Sequence, residues 1–227
     1  MFFYWDSTMI LLIPAILFTM YAQSRISGTF RKYSRVPSKN GYTARDVARK
    51  VLDMNGLTNV RIERVRGNLT DHYDPRKQVL RLSDSVHGST SIAAIGVAAH
   101  EAGHAVQHST GYIPLLMRNT IAPIAGFGSN LSWILILAGL LMNWFELIQA
   151  GIVFFLAVVI FQLITLPVEF NASKRAIALL SEGGIITGQE IGPARKVLNA
   201  AALTYVAAAL TAVLQLLRFI LLANRRR

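Results

Sequence analysis

Four long apolar stretches restrict the possible folds of this 227-residue chain more than any other feature. They cover about residues 9–22, 121–142, 147–166 and 200–223. A bilayer is crossed by roughly 20 consecutive apolar residues, and in lipid only helices and closed barrels satisfy all their backbone polar groups. The sequence therefore predicts a mainly α membrane protein with three or four transmembrane helices.

The amino-acid composition supports a membrane protein and limits its chemistry. Hydrophobic residues make up 53% of the chain and charged residues 15%, so the chain is more apolar and less charged than soluble proteins. The absence of cysteine excludes disulfides, thiolate nucleophiles and Cys-ligated metals. The net charge is +11, but the basic residues lie beside the apolar stretches, which indicates membrane topology and no nucleic-acid binding.

The first stretch predicts an uncleaved N-terminal transmembrane anchor at residues 1–23. Aromatic residues at positions 2–5 form an interfacial belt, and Asp6 stands where a signal peptide would carry a basic region. A cleaved signal peptide is the alternative interpretation, although no small-residue cleavage site precedes Gln23. Five basic residues follow within positions 25–39, which places this end of the anchor in the cytoplasm.

Residues 119–167 predict a transmembrane hairpin. Its short loop at residues 143–146 has no Lys or Arg, which marks the outer side. Pro123, Gly126 and Gly128 predict an irregular start of its first helix.

The last apolar segment, residues 200–227, ends in three arginines. Four crossings would place these arginines outside, against the positive-inside rule. Either this segment packs without crossing fully, which we favour, or the short basic tail is tolerated outside.

Residues 24–118 form the polar portion of the chain and are long enough for a small domain. Thr43 and Asp46 form the capping-box signature of a helix from Ala44 to about Asn55. Residues 59–66 and 78–83 predict two strands, and a turn at residues 73–77 introduces the second of them.

Residues 91–108 predict a helix that carries the motif His100-Glu101-Ala102-Gly103-His104. Two imidazoles at i and i+4 project from one helix face and can reach one ion, with the intervening carboxylate beside a water on that ion. Mostly apolar flanks indicate a buried helix, so a chance motif on an exposed amphipathic helix is the weaker alternative. The motif predicts a zinc site with Glu101 as general base, and a helix with two strands completes a zincin-like metallopeptidase core with a small β element. A strand edge beside the motif helix would let an extended peptide substrate pair its backbone across the zinc.

A catalytic zinc usually has three protein ligands and a water, so a third ligand is needed beside His100 and His104. The hairpin returns the chain to the side it left, so Glu169 in the segment 168–199 reaches the same side at membrane depth, where an unpaired carboxylate is costly. The alternative is a glutamate that only begins a helix after Pro167. The fallback ligands are Glu182, Glu190 and Asp84.

Hydrolysis also calls for a donor that stabilises the oxyanion. The candidates are His72, Tyr73, His108, Tyr112 and Tyr205. We rank His72 and Tyr73 first as further catalytic residues, because they precede a turn that could lie over the site. The other three have simpler interpretations as a helix end, an interfacial aromatic and a core residue.

The segments LTDHYDP, VAAHEAGHAVQH and LPVEFNASKRA together resemble the YugP-type family of bacterial membrane neutral zinc metallopeptidases over nearly the whole chain. HEAGH with the later E-F-x-A is also similar to the HtpX-like membrane gluzincins, in which that glutamate is the third zinc ligand. The resemblance implies one Zn²⁺ per chain held by His100, His104 and Glu169. It also implies a multi-pass protein of the bacterial cell membrane with a cytoplasmic active site.

In the gluzincins that the chain resembles, the position four residues after the ligand glutamate is an aspartate that contacts a ligand histidine. This chain has Ser173 there. Asp71, Asp84 and Asn171 are the candidates to take the place of that aspartate.

We expect a lipid bilayer and a peptide or membrane-protein substrate as partners, and we leave open a membrane-protein partner or a homo-oligomer. The phosphate-binding pattern G-x-x-x-x-G-K-[ST] is absent, which excludes an ATP-driven protease within this polypeptide. The competing interpretation is a zinc-binding membrane scaffold, transporter or assembly factor, which would have no need of Glu101.

Overall fold

The computed structural model describes residues 7–224. The elements are a 3-10 helix at Ser7–Leu12, α1 (Ile13–Tyr33), α2 (Ala44–Met54), β1 (Arg61–Val65), β2 (His72–Asp74), β3 (Val79–Ser83), α3 (Ile92–Ser109), α4 (Ile113–Met142), α5 (Phe145–Glu182) and α6 (Gly188–Asn224). The predicted mainly α fold with a small β element is confirmed. The expected aromatic belt and the final arginines lie outside the described residues.

Within residues 7–224, four helices are long and apolar enough to cross a membrane: Ser7–Tyr33, α4, α5 and α6. Large apolar side chains on them are widely exposed, as at Leu17 (61%), Leu141 (75%) and Val153 (68%). Exposure on this scale suits contact with lipid and would be unfavourable in water. By length and composition, the number of candidate transmembrane helices is therefore four, the upper of the two predicted numbers.

One of these helices differs from the sequence prediction. The irregular start expected at Pro123 is wrong, because α4 runs from Ile113 through the proline without a break. A proline removes one helical hydrogen bond, which a helix in lipid tolerates where neighbouring groups satisfy the freed carbonyl. α6 is likewise continuous from Gly188 to Asn224 and is long and apolar enough to cross a membrane, so the expected incomplete crossing stays a prediction.

The described chain divides into two compact units. The first contains residues 7–23, 116–167 and 204–224 and holds most of the apolar helical length. Its core centres on Phe219, whose ring lies 5.2 Å from that of Trp133 and 5.1 Å from that of Phe155, both edge to face. Aromatic pairs at these distances and angles contribute beyond their buried area.

The second unit contains residues 24–115 and 168–203. The first helix that lies wholly within this unit, α2, begins as predicted at a complete capping box. The backbone N–H of Thr43 donates to Asp46 Oδ2 (3.1 Å) and the N–H of Asp46 donates to Thr43 Oγ1 (3.2 Å). Val47, Val51 and Leu52 on one face of α2 are fully buried, so the helix is held by packing as well as by its cap.

The second unit also holds a three-stranded sheet in the order β1-β3-β2, with β1 parallel and β2 antiparallel to the central β3. The predicted strands at residues 59–66 and 78–83 correspond to β1 and β3. The predicted turn at residues 73–77 is wrong at its start, because residues 72–74 form β2 at the sheet edge. Asp74 ends this strand and accepts hydrogen bonds from the N–H groups of Arg76 and Lys77, which closes the turn.

The core of the second unit joins α2, β3, α3 and parts of α5 and α6. Residues 168–199, expected as a ligand helix and a connecting segment, are the C-terminal part of α5 and the N-terminal part of α6 with a turn between them. Ala176 and Leu180 of α5 and Ala194 and Leu198 of α6 are buried in this core. The packing brings α5 directly against α3.

Candidate metal centre

The motif lies on α3, close to the predicted bounds of that helix. Ser91 caps its first turn by accepting a hydrogen bond from the N–H of Ala94 (3.2 Å). The rings of His100 and His104 lie on one helix face with centroids 4.8 Å apart and planes at 83°. His104 is 7% exposed, so the pair is held inside the unit and not on a solvated face.

Gly103 allows α5 to approach this helix face. A Cβ on Gly103 would lie 2.9 Å from the carbonyl oxygen of Ala172, a distance that real Cβ contacts essentially never show. Ala172 lies one turn after Glu169 on α5, and is itself fully buried. The glycine inside the motif therefore sets the separation between the two helices that carry the potential ligands.

We predict opposite effects of alanine at the two glycines of α3. Gly103→Ala should destabilise the protein by about 1–3 kcal/mol through overpacking and weaken zinc binding. Gly96→Ala places its Cβ 3.8 Å from the Ala194 carbonyl oxygen, an ordinary contact, and should be neutral or stabilise by about 0.5–1 kcal/mol. Unfolding curves and zinc titrations of both variants in detergent check this. Equal effects at the two positions would contradict the close approach.

Glu169 completes a cluster of three potential metal ligands. Its Oε2 lies 3.1 Å from His100 Nε2 and 3.6 Å from His104 Nε2, and its side chain is only 4% exposed. The ligand atoms all lie within 4.8 Å of one another. Four tetrahedral ligands about 2.0–2.1 Å from zinc are separated by about 3.4 Å, and two histidines with one glutamate are a known donor set of catalytic zinc. The residues therefore fit Zn²⁺.

Each histidine has a polar partner on its other ring nitrogen. Ser173 Oγ lies 3.2 Å from His100 Nδ1, and Gln107 Oε1 lies 2.9 Å from His104 Nδ1. When these oxygens accept from Nδ1–H, both rings present a free Nε2 toward Glu169, which is the tautomer a metal ligand requires. Ser173 thus occupies the position where the resembling gluzincins have aspartate.

Gln107 is a site residue that the sequence analysis missed. It is fully buried, and its Nε2 donates to the carbonyl oxygen of Val168 (2.9 Å) and to Asn171 Oδ1 (3.0 Å). Arg175 Nε donates to the same Asn171 oxygen at 2.8 Å. These contacts link α5 to His104. Asn171, one of the candidates to replace the gluzincin aspartate, therefore contacts Gln107, and Gln107 contacts the histidine.

Glu101 is buried next to the first ligand, at 9% exposure. Burial raises the pKa of its carboxyl to about 7, and the charges of Glu169 and Asp71 act in the same direction. His100 and a hydrogen bond from the backbone N–H of Tyr73 lower the pKa. A carboxyl with these surroundings can both accept and release a proton near neutral pH.

Tyr73 and His72 point in different directions from β2. Tyr73 is half-buried, and its hydroxyl lies 3.1 Å from Nδ1 of His108 near the end of α3. His72 is exposed, with Nδ1 2.9 Å from the Thr70 carbonyl oxygen and Nε2 3.3 Å from Arg81 Nη1. Side chains alternate between the two faces of a strand, so only Tyr73 lies toward the motif helix.

The remaining candidates lie outside the cluster. Asp84 is paired with Arg64 at 2.6 Å, and Glu190 accepts from Thr187 and Lys39 at the start of α6. Asp71 accepts two hydrogen bonds from Ser83. The other polar candidates are Glu182 at the end of α5, Tyr112 after α3 and Tyr205 on α6. Among residues 7–224, the only group of three or more possible ligands that can share one ion is His100, His104 and Glu169.

The fold and this cluster define a helical membrane protein with a potential metal site of the kind found in zinc hydrolases. Residues 8–224 match the family described as "Putative neutral zinc metallopeptidase", and the chain belongs to this family. It is also 49% identical over 212 residues to "Putative membrane protease YugP" of Bacillus subtilis (strain 168), an alignment that covers 93% of this chain and 94% of the relative. No solved structure matches the chain.

Proposed function

We propose that this protein is a membrane-embedded zinc endopeptidase of the gluzincin type that hydrolyses membrane or membrane-proximal proteins. The observation that carries the proposal is the position of Glu101, a buried carboxylate beside two histidines and a glutamate that fit one zinc ion. Membership of the zinc metallopeptidase family and the membrane-protease name of the relative support the same reaction.

His100, His104 and Glu169 would hold one Zn²⁺ per chain, which when bound lowers the pKa of water and polarises the scissile carbonyl. Glu101 takes a proton from the attacking water and delivers it to the nitrogen of the leaving amine. Gln107 and Ser173 contact Nδ1 of His104 and His100 and so hold Nε2 of each ring toward Glu169. The sides of the cluster formed by α3 and α5 are buried, which strengthens the electrostatic interactions within it.

The free edge of β2 is the proposed binding surface for the substrate backbone. β2 pairs with β3 on one side only, and the backbone N–H of Tyr73 in this strand donates to Glu101. An extended peptide could add to this edge by main-chain hydrogen bonds, which would carry its carbonyl past Glu101. The Tyr73 hydroxyl, paired with His108, is the proposed further catalytic donor on this side, whereas His72 would have to leave its present partners to act.

Metal removal separates an endopeptidase from a zinc-binding scaffold. We expect purified protein to cleave an unfolded protein substrate such as casein, to lose this activity with a zinc chelator, and to regain it when zinc is added back. Circular dichroism under the same conditions reports the fold. If the folded, zinc-bound protein hydrolyses no substrate at any zinc concentration, the scaffold is favoured.

We propose that the site faces the cytoplasmic membrane surface. The basic residues after the first apolar stretch and the uncharged loop of the hairpin support this orientation. Glu169 follows the apolar part of α5 within the same helix, so the ligand lies close to the membrane boundary. Substrates would then be membrane proteins or segments near the inner surface.

Single cysteines test the orientation, because the chain has none of its own. We expect Lys77→Cys in the turn after β2 and Gln189→Cys at the start of α6 to resist an impermeant thiol reagent on intact cells. Glu146→Cys at the start of α5 should be labelled, and all three positions are exposed. Permeabilised cells provide the control for reactivity. Labelling of the first two from outside would reverse the orientation.

A further inference from the structure

A polar cavity lies away from the metal cluster, between α1 and α6 in the second unit. Its volume is about 670 Å³, within the range of small-ligand sites. The residues with polar side chains that line it are Ser24, Arg25, Thr29, Lys32 and Tyr33 of α1 and Lys196 and Asn199 of α6. None of these residues has a role in the proposed hydrolysis.

The lining of this cavity has the chemistry of an anion site. It carries three cations, three hydroxyls and one amide, and no carboxylate. Within residues 7–224, none of the three cations forms a salt bridge with an acidic side chain. Several cations gathered without counter-charge repel one another, and a phosphate group with its acceptor oxygens relieves this repulsion.

The position of the cavity along both helices points to a lipid. The apolar stretch of α1 ends directly before Ser24, and that of α6 begins at Ala200, so the cavity spans the change from polar to apolar surface on each helix. Basic pockets between transmembrane helices at this level bind the headgroups of anionic lipids. A soluble phosphate compound would gain nothing from the apolar end of the cavity, which includes Leu203.

We propose that this cavity binds the phosphate of an anionic phospholipid headgroup through Arg25, Lys32 and Lys196. The space beside the Gly28 backbone is open, because a Cβ there would meet nothing within 4 Å. The wall residue Tyr33 is buried together with Val197 of α6 and Ala93 of α3. A bound headgroup would therefore hold α1 and α6 together around the first turn of the helix that carries the metal motif.

The test is the thermal stability of the full-length protein in neutral detergent, titrated with phosphatidylglycerol. We expect phosphatidylglycerol to raise the melting temperature, and phosphatidylcholine or inorganic phosphate at equal phosphorus to have little effect. The variant Arg25→Gln/Lys32→Gln/Lys196→Gln should need about a hundredfold more phosphatidylglycerol for the same shift, since each basic residue near a lipid surface contributes about fivefold.

Two further variants separate a defined site from general attraction to negative lipid. Arg31→Gln/Arg35→Gln/Arg195→Gln removes the same charge from the same region but from residues that do not line this cavity, and should retain the wild-type response. Gly28→Leu keeps all charges and fills the open space, and should lose the response. The proposal would be overturned if the control variant lost the response to phosphatidylglycerol as fully as the triple variant, or if Gly28→Leu kept it. It would also be overturned if phosphatidylcholine or inorganic phosphate raised the melting temperature as much as phosphatidylglycerol does.

Discussion

Glu101→Gln is expected to lower peptide hydrolysis by about two to four powers of ten while zinc content and fold are retained. Glutamine has nearly the same shape, and its carbonyl oxygen can still accept the hydrogen bond from the Tyr73 N–H that Glu101 accepts. It cannot take a proton from water. The loss therefore isolates proton transfer from metal binding.

The measurement compares cleavage rates of wild-type and variant protein, with zinc per chain determined by mass spectrometry on the same samples. Asp53→Asn is the control, because it makes the same carboxylate-to-amide change on α2, where Asp53 only pairs with Arg49. The control should cleave at close to the wild-type rate. Unchanged hydrolysis in Glu101→Gln would rule out Glu101 as the base, whether or not the protein binds zinc.

The sequence was sufficient to predict which three side chains the structure brings together as potential metal ligands. His100 and His104 are fixed relative to each other by helix geometry alone, which a motif of five residues specifies. Glu169 could be predicted because the hairpin returns the chain to the same side and because few acidic residues follow. The cluster of these three side chains in the structure agrees with that reasoning.

The contacts around the ligands were harder to predict from sequence. Gln107 looks like an ordinary polar residue near the end of a helix, and its role depends on Val168, 61 positions later in the chain. A usable signal was present, since Gln107 lies three residues after His104 and thus on the same face of an otherwise apolar helix. The strand β2 was missed because three residues are too few to show alternation.

Ser173 shows how a local change alters the chemistry of a shared arrangement. The resemblance to gluzincins implies an aspartate at this position, and the structure has a serine hydroxyl 3.2 Å from His100 Nδ1. A hydroxyl can orient the ring as a carboxylate does, but it adds no negative charge. A zinc ion held by His100 would therefore receive less electron density from this ligand than it would with an aspartate beside the ring.

Replacing any of the three ligands is expected to remove zinc from the protein. Dividing the roughly 10–16 kcal/mol of structural zinc binding over four ligands gives about 2.5–4 kcal/mol each, or about two to three powers of ten in affinity. Wild-type protein should carry one zinc per chain after purification. His100→Ala, His104→Ala and Glu169→Ala should lose it on dialysis against a weak chelator that leaves the wild type loaded.

Glu169→Ala is the most informative of these variants. His100 and His104 lie together on α3, whereas Glu169 is the single proposed ligand that comes from another helix. Glu182→Ala is the matched control, since Glu182 ends the same helix, is exposed, and lies outside the cluster. We expect this control to keep its zinc. Full zinc in Glu169→Ala together with loss in Glu182→Ala would move the third ligand to the helix end. Such a result would also require α5 to shift along α3, which the close contact at Gly103 and Ala172 opposes.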